Sequence, residues 1–256
     1  NTDVLEATGA TMPEEWTTWE AFADAMETVR VNGEAMGYYS YGSGQGSIRM
    51  FNAALAATPA SAEMLKGPLT ADAINSEEFA DAFRTVATLD QQNGSANSSV
   101  NANDFAADFN NGLSAVFING VWGASQFAGS DNFVSCIYPN SVAISSANTG
   151  LYVANDLSDA QKELALEFIK YMTSEEVQSR YFLETSSNPI NENVDIQKLA
   201  QESGDPTALK LAEACDKCNK ADTIVLAIDV CWGNDVGGAL QNKFAECAVA
   251  GTDIEA

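Results

Sequence analysis

The chemistry open to this chain is set first by what it lacks. It contains no histidine, which excludes Ser-His-Asp and Cys-His nucleophilic devices and removes the commonest transition-metal ligand. Its five cysteines are Cys136, Cys215, Cys218, Cys231 and Cys247. Cys215-Asp-Lys-Cys218 has CxxC spacing, but no second CxxC accompanies it, so a zinc ribbon is not expected. The pair falls inside a helical pattern, where a spacing of three puts both sulfurs on one face. It reads as structural or as a local disulfide. The 36 carboxylates make candidate acid pairs easy to find, yet no strand end carries a poised pair of the kind a glycoside hydrolase needs. No catalytic residue, metal site or cofactor is therefore expected. What stands out instead is Asn119-Gly120-Val121-Trp122-Gly123, a large aromatic delivered onto a glycine-flanked turn just after the apolar run Ala115 to Ile118. Ligands of open α/β sheets bind at such strand ends, and a flat ring offers a surface to a flat apolar face. Trp122 is either that platform or a plug in the core.

The elements that would position this turn are legible from periodicity. Thr17 to Glu20 reads as a capping box opening a helix to about Val29, with Phe22, Ala25, Met26 and Val29 at core spacing. Residues 37–41 read as a strand emptying into Gly42-Ser43-Gly44-Gln45-Gly46, which lacks the lysine of a phosphate-binding loop. A helix over 47–57 follows, then one capped by Asn75 and Glu78 with Phe79, Phe83 and Val86 on one face. Residues 133–139 and 150–156 read as further strands. Ser158 and Gln161 cap a long helix whose Leu164, Ala165, Phe168, Ile169 and Met172 form an apolar stripe. Thr173 and Glu176 start the next helix, and helical patterns return over 194–202, 206–219 and 233–249. Residues 222–232 are apolar enough to be buried. About four strands alternating with eight helices argue an α/β protein.

Composition narrows the partners. Twelve basic against 36 acidic residues give a net charge of −24, which repels phosphate backbones and anionic lipid, so no nucleic acid or membrane-surface partner is expected. No apolar run is long enough to span a bilayer.

The order of segments resembles the extracellular solute-binding proteins of ABC importers, in particular the sugar-binding family that includes maltose-binding protein. "ATMPEEWTTWEAFADAMETV" is similar to that family's proline-then-tryptophan helix opener, and "FNNGLSAVFINGVWGASQF" to its glycine- and tryptophan-bearing strand-end segment, with Val116 where Met is usual. "LYVANDLSDAQKELALEFIKYMTSEEVQSRYFLETSSNPIN" and "CWGNDVGGALQNKFAECAVAGTDIEA" resemble the interlobe return and the closing helices. The resemblance implies a periplasmic-binding-protein-like α/β fold, with one complete lobe plus a helical segment of the other. It assigns 1–150 and 195–256 to the second, C-terminal lobe and 151–194 to a crossover segment belonging to the first, most of which would precede Asn1.

The same resemblance implies a solute-binding component that closes two lobes around a carbohydrate, expected to be an oligosaccharide, and delivers it to the permease subunits. The chain would act as a monomer outside the cytoplasm, as a cell-surface lipoprotein or in the periplasm. A surface adhesin on the same fold, or a binder of another solute, is the alternative. A pyranose presents an apolar face and a rim of hydroxyls, which calls for aromatic platforms edged by planar polar side chains. Trp122 and Trp232 fall at the family's stacking positions. Tyr41, Ser43 and Gln45 lie in the loop that contacts ligand. Asn119, Gly150 and Asp229 complete the candidate set, Asn119 and Asp229 as hydrogen-bonding groups or alternatively as turn and cap residues.

Overall fold

The computed structural model describes residues 1–40, 45–93, 102–127, 130–146 and 150–255. Their contacts divide into two compact units. The first comprises 1–119, 131–146 and 217–256, and the second 120–130 and 147–216.

The first unit is built from α1 (Thr2–Thr8), α2 (Trp19–Asn32), β1 (Met36–Ser40), α3 (Gln45–Leu55), α4 (Pro59–Ala62), α5 (Ala71–Ile74), α6 (Glu77–Asn93), α7 (Ala102–Asn110), β2 (Ser114–Ile118) and β3 (Val142–Ser145). The chain leaves for the second unit through α8 (Asp159–Met172), α9 (Glu175–Thr185), α10 (Ile196–Ser203) and most of α11 (Pro206–Asn219), then returns with β4 (Thr223–Leu226), α12 (Ile228–Cys231) and α13 (Asn234–Cys247). β1 pairs in parallel with β2, with Met36 opposite Ser114 and Ser40 opposite Ile118. β3 pairs in parallel with β4, with Val142 opposite Thr223. Parallel pairing requires crossovers, and helices supply them.

Local sequence explains the helix boundaries. α2 opens on Thr18, whose hydroxyl accepts from the Ala21 amide at 3.2 Å. The cap is therefore one residue later than the expected Thr17–Glu20 box. The expected face is buried, with Phe22, Ala25, Met26 and Val29 all at or below 6% exposure. Trp16 and Trp19 join them, Trp16 edge-on to Phe22 at 5.4 Å. α6 is capped by Ser76 rather than Asn75, its hydroxyl accepting from the Phe79 amide. Phe51 of α3 and Phe79, Phe83 and Phe244 of α6 and α13 form an aromatic cluster, Phe83 stacking on Phe244 at 4.6 Å.

Two expected strands are not where the pattern put them. Residues 133–137 form no ladder: Phe133 is buried against Phe109 at 4.8 Å. The strand starts only after a tight turn in which Asn140 and Ser141 take positive φ and Tyr138 bridges Val142. Pro139 fixes that turn, since it has no N–H to donate to a ladder. Residues 150–154 also lack strand pairing, and Leu151 and Tyr152 are exposed. The fourth strand among the described residues is β4, inside the segment read as apolar enough to be buried. Ile224 and Leu226 face outward from it, while Ala227 and Ile228 just beyond are buried.

The second unit has a small core of Phe182, Ala200, Ala208, Leu211, Ala212 and Cys215, flanked by Val121, Ala124, Ile196 and Leu199. Cys215 is thus an apolar packing residue, and Cys218 is half-buried. Residues 195–216 pack with this unit, whereas the resemblance groups them with the C-terminal lobe. α8 opens on the expected box, the Ser158 amide donating to Gln161 Oε1 at 3.0 Å. Its apolar stripe is not a core here: Leu164 is 72% exposed and Phe168 54%.

Candidate functional site

The carboxyl ends of the parallel strands in the first unit lead into most of the candidate residues. β1 ends at Ser40, and Gln45 begins α3 five positions beyond it. Tyr41 and Ser43 lie outside the described residues. β2 ends at Ile118, followed by Asn119, which is half-buried. β4 ends at Leu226, and α12 with Asp229 follows at once, held by the Ala227 amide donating to the Ser145 carbonyl at 2.9 Å. The Ile228 amide donates to Asn52 Oδ1 of α3 at 2.9 Å, which ties α12 to that helix.

The structure brings Gln45, Asp229 and two further polar residues together around α3. Gln45 Nε2 lies 3.4 Å from Gln241 Oε1 of α13. One turn along α3, Arg49 Nη1 donates to Asp229 Oδ1 at 2.5 Å, both side chains being 22% exposed. That hydrogen bond holds the Asp229 carboxyl below the usual carboxylate range, against partial burial, so it is an acceptor at neutral pH. Arg49 was missed from sequence. Its spacing of four from Gln45, on the first turns of a helix leaving a strand end, was the available signal.

Trp232 is a core residue in this structure. It is 9% exposed, its ring stacks on Phe79 at 6.2 Å, and its Nε1 donates to the Met64 carbonyl at 3.1 Å. The adjacent Gly233 has φ 89°, a left-handed conformation that favours glycine.

Trp122 belongs to the second unit and behaves differently. It lies in a 3₁₀ segment over Val121–Phe127, with its indole 54% exposed. A methyl group at Gly120 would fall on the six-membered ring of Trp122, so glycine is what lets the ring fold back over the chain. The Gly123 amide donates to the Gly120 carbonyl at 2.9 Å and closes the turn. Gly150, in the same unit, is exposed and abuts Tyr152, to whose hydroxyl a Cβ would come within 3.2 Å. Tyr152 is itself 85% exposed.

Behind β1, Asp90 of α6 is 3% exposed and accepts from the Tyr38 hydroxyl at 2.6 Å. Burial pushes its carboxyl up to about 6, with Ser47 and Tyr38 opposing through hydrogen bonds.

Pairs of parallel strands joined by helical crossovers define an α/β protein of periplasmic-binding-protein-like fold. The bacterial extracellular solute-binding protein family model matches residues 1–207, and the chain belongs to that family. It is similar over 100% of its length, with 38% identity and a TM-score of 0.91, to a Streptococcus pneumoniae solute-binding protein solved in complex with the blood group A-trisaccharide, of which it spans 65%. A chitin oligosaccharide binding protein (20% identity, TM-score 0.73, 97% of this chain and 63% of that one) shares the fold. So does the cyclic α-maltosyl-1,6-maltose binding protein of Arthrobacter globiformis (18% identity, TM-score 0.63, 100% and 65%). No curated protein matches. Among the described residues, no helix is long and apolar enough to cross a membrane.

Proposed function

We propose that the chain is part of the solute-binding component of an ABC importer that captures a carbohydrate, an oligosaccharide by preference, between the two lobes of the whole protein and delivers it to the permease. The observation that carries this reading is Trp122, half-exposed on a glycine turn at a strand's carboxyl end, in a chain 38% identical to a protein solved with a trisaccharide. Trp122 stacks on an apolar sugar face. Gln45, Asn119 and Asp229 bond the hydroxyl rim, Tyr41 and Ser43 belong to the same loop system, and Gly150 lets ligand approach the backbone. Trp232, packed against Phe79, supports the wall from behind.

The protein transforms nothing. Ligand binds the closed arrangement of lobes better than the open one, and the permease reads that state. Burying one indole face contributes about 1–3 kcal/mol. In this reading 1–150 and 195–256 form the C-terminal lobe and 151–194 crosses to the first. The exposed Leu164, Phe168 and Tyr171 of α8 then have an apolar surface to cover them. The protein is monomeric and extracytoplasmic, anchored by lipid or free in the periplasm.

The test is calorimetric titration of the full-length protein with a panel of oligosaccharides that includes the blood group A-trisaccharide. Saturable binding of at least one sugar is expected. Binding of none, with tight binding of a non-sugar solute or of a host surface protein, overturns the reading.

A further inference from the structure

The geometry points to Arg49 and Asp229 acting together as a clamp for two adjacent hydroxyls of the ligand, Arg49 donating to one oxygen and Asp229 accepting from the other hydroxyl. This rests on the carbohydrate reading and specifies how its polar rim is recognised. Neither the family match nor the sequence pattern assigns Arg49 a role.

The pair leaves hydrogen-bonding capacity unused. Arginine–carboxylate pairs frequently use the planar fork on both carboxylate oxygens, as Arg30 does on Glu27. Here a single contact joins Nη1 to Oδ1. A guanidinium carries five N–H donors, and among the described residues the others meet no protein acceptor. Asp229 Oδ2 likewise has no side-chain partner among those residues. Both side chains keep 22% exposure, so a ligand reaches them while solvent competes only weakly. The carboxylate stays ionised beside the guanidinium, so the pair offers donors and acceptors side by side. Two neighbouring hydroxyls on a sugar ring present the complementary pattern.

The position fits as well. Arg49 sits on the first turns of the helix that follows β1, and Asp229 on the helix that follows β4. Both therefore stand beyond the carboxyl ends of parallel strands, where open α/β sheets bind ligands. The pair is neutral overall, which suits a neutral polyol. A chain of net charge −24 also disfavours an anionic ligand at this place.

The experiment uses the full-length protein and the sugar it binds best from a panel containing the blood group A-trisaccharide. Affinities are measured by calorimetry for wild type, Arg49→Met, Arg49→Lys, Asp229→Asn and Trp122→Ala, with monodeoxy analogues of that sugar as second probes. Arg49→Met and Asp229→Asn are expected to weaken binding about tenfold or more, and Arg49→Lys less, because a charge-assisted hydrogen bond is lost. One deoxy analogue is expected to bind wild type about tenfold more weakly than its parent sugar, while Arg49→Met barely distinguishes the two. A merely structural role lowers the melting temperature and leaves the deoxy penalty intact, which overturns the inference. Should Arg49→Met not fold, Arg49→Lys with the same analogues decides it. Sugar binding that Trp122→Ala abolishes but Arg49→Met leaves unchanged sinks the clamp alone. Binding of no sugar by wild type sinks the clamp and the carbohydrate reading together.

Discussion

Trp122 and Trp232 each stand near a glycine, yet the first is 54% exposed and the second 9%. Truncation should therefore separate them. Trp232→Ala removes a ring from Phe79 and leaves the Met64 carbonyl without its donor, and urea unfolding should show a loss of about 3–5 kcal/mol. Trp122→Ala should change stability by under about 1 kcal/mol while weakening sugar binding by about 1–3 kcal/mol in calorimetric titration. Gly120→Ala belongs with it. The added methyl displaces the indole, so affinity should fall with only a small change in melting temperature. The sequence placed Trp122 at a strand end and the resemblance put Trp232 at a second stacking position, but their environments were invisible in it. Phe79 is more than 150 positions away from Trp232, and only the packing of α6 against α12 and α13 decides which ring is covered.

Among the elements, Asp90 connects its own helix to three others. Its carboxyl lies on α6, takes the Tyr38 hydroxyl of β1, and faces Ser47 of α3 and the Cys247 thiol of α13. No cation faces it among the described residues. Its folded value of about 6 stands above the ordinary 3.8 because burial penalises the charge. The native state thus holds the proton more tightly than the unfolded chain. The stabilisation is complete below the ordinary value and is lost as pH rises through about 6. Urea unfolding should show wild type losing on the order of 1–3 kcal/mol from this group between pH 4 and 6.5. Asp90→Asn should flatten that slope. A slope unchanged in the variant would assign it to other carboxylates.

Helices were the more legible elements. α8 falls where its hydroxyl cap put it and α11 where helical periodicity put it, because those signals are local. β3 and β4 were not legible. Strand identity depends on a partner, and the run 133–137 is as apolar as Val142–Ser145 without having one. β4 was hidden because Ile224 and Leu226 are apolar yet face outward, so no alternation marked its two faces. The ion pair of Arg49 with Asp229 joins residues 180 positions apart, a distance over which no spacing rule operates.

At the scale of the whole molecule, the chain spans 65% of its Streptococcus pneumoniae relative and carries an apolar face on α8. Leu164, Phe168 and Tyr171 are each more than half exposed, beyond what single scattered surface residues require. If a first lobe covers that face, residues 1–256 produced alone should self-associate in sedimentation, and Leu164→Ser with Phe168→Ser should suppress it. In the full-length protein the same double substitution should instead lower stability by several kcal/mol. Sugar capture in this protein turns on Trp122 as a ligand platform. Its most direct test is intrinsic tryptophan fluorescence of the full-length protein titrated with an oligosaccharide panel, wild type beside Trp122→Ala. A saturable shift is expected in the wild type, and it should vanish in the variant while the melting temperature holds. A shift of the same size and midpoint in both proteins would contradict it.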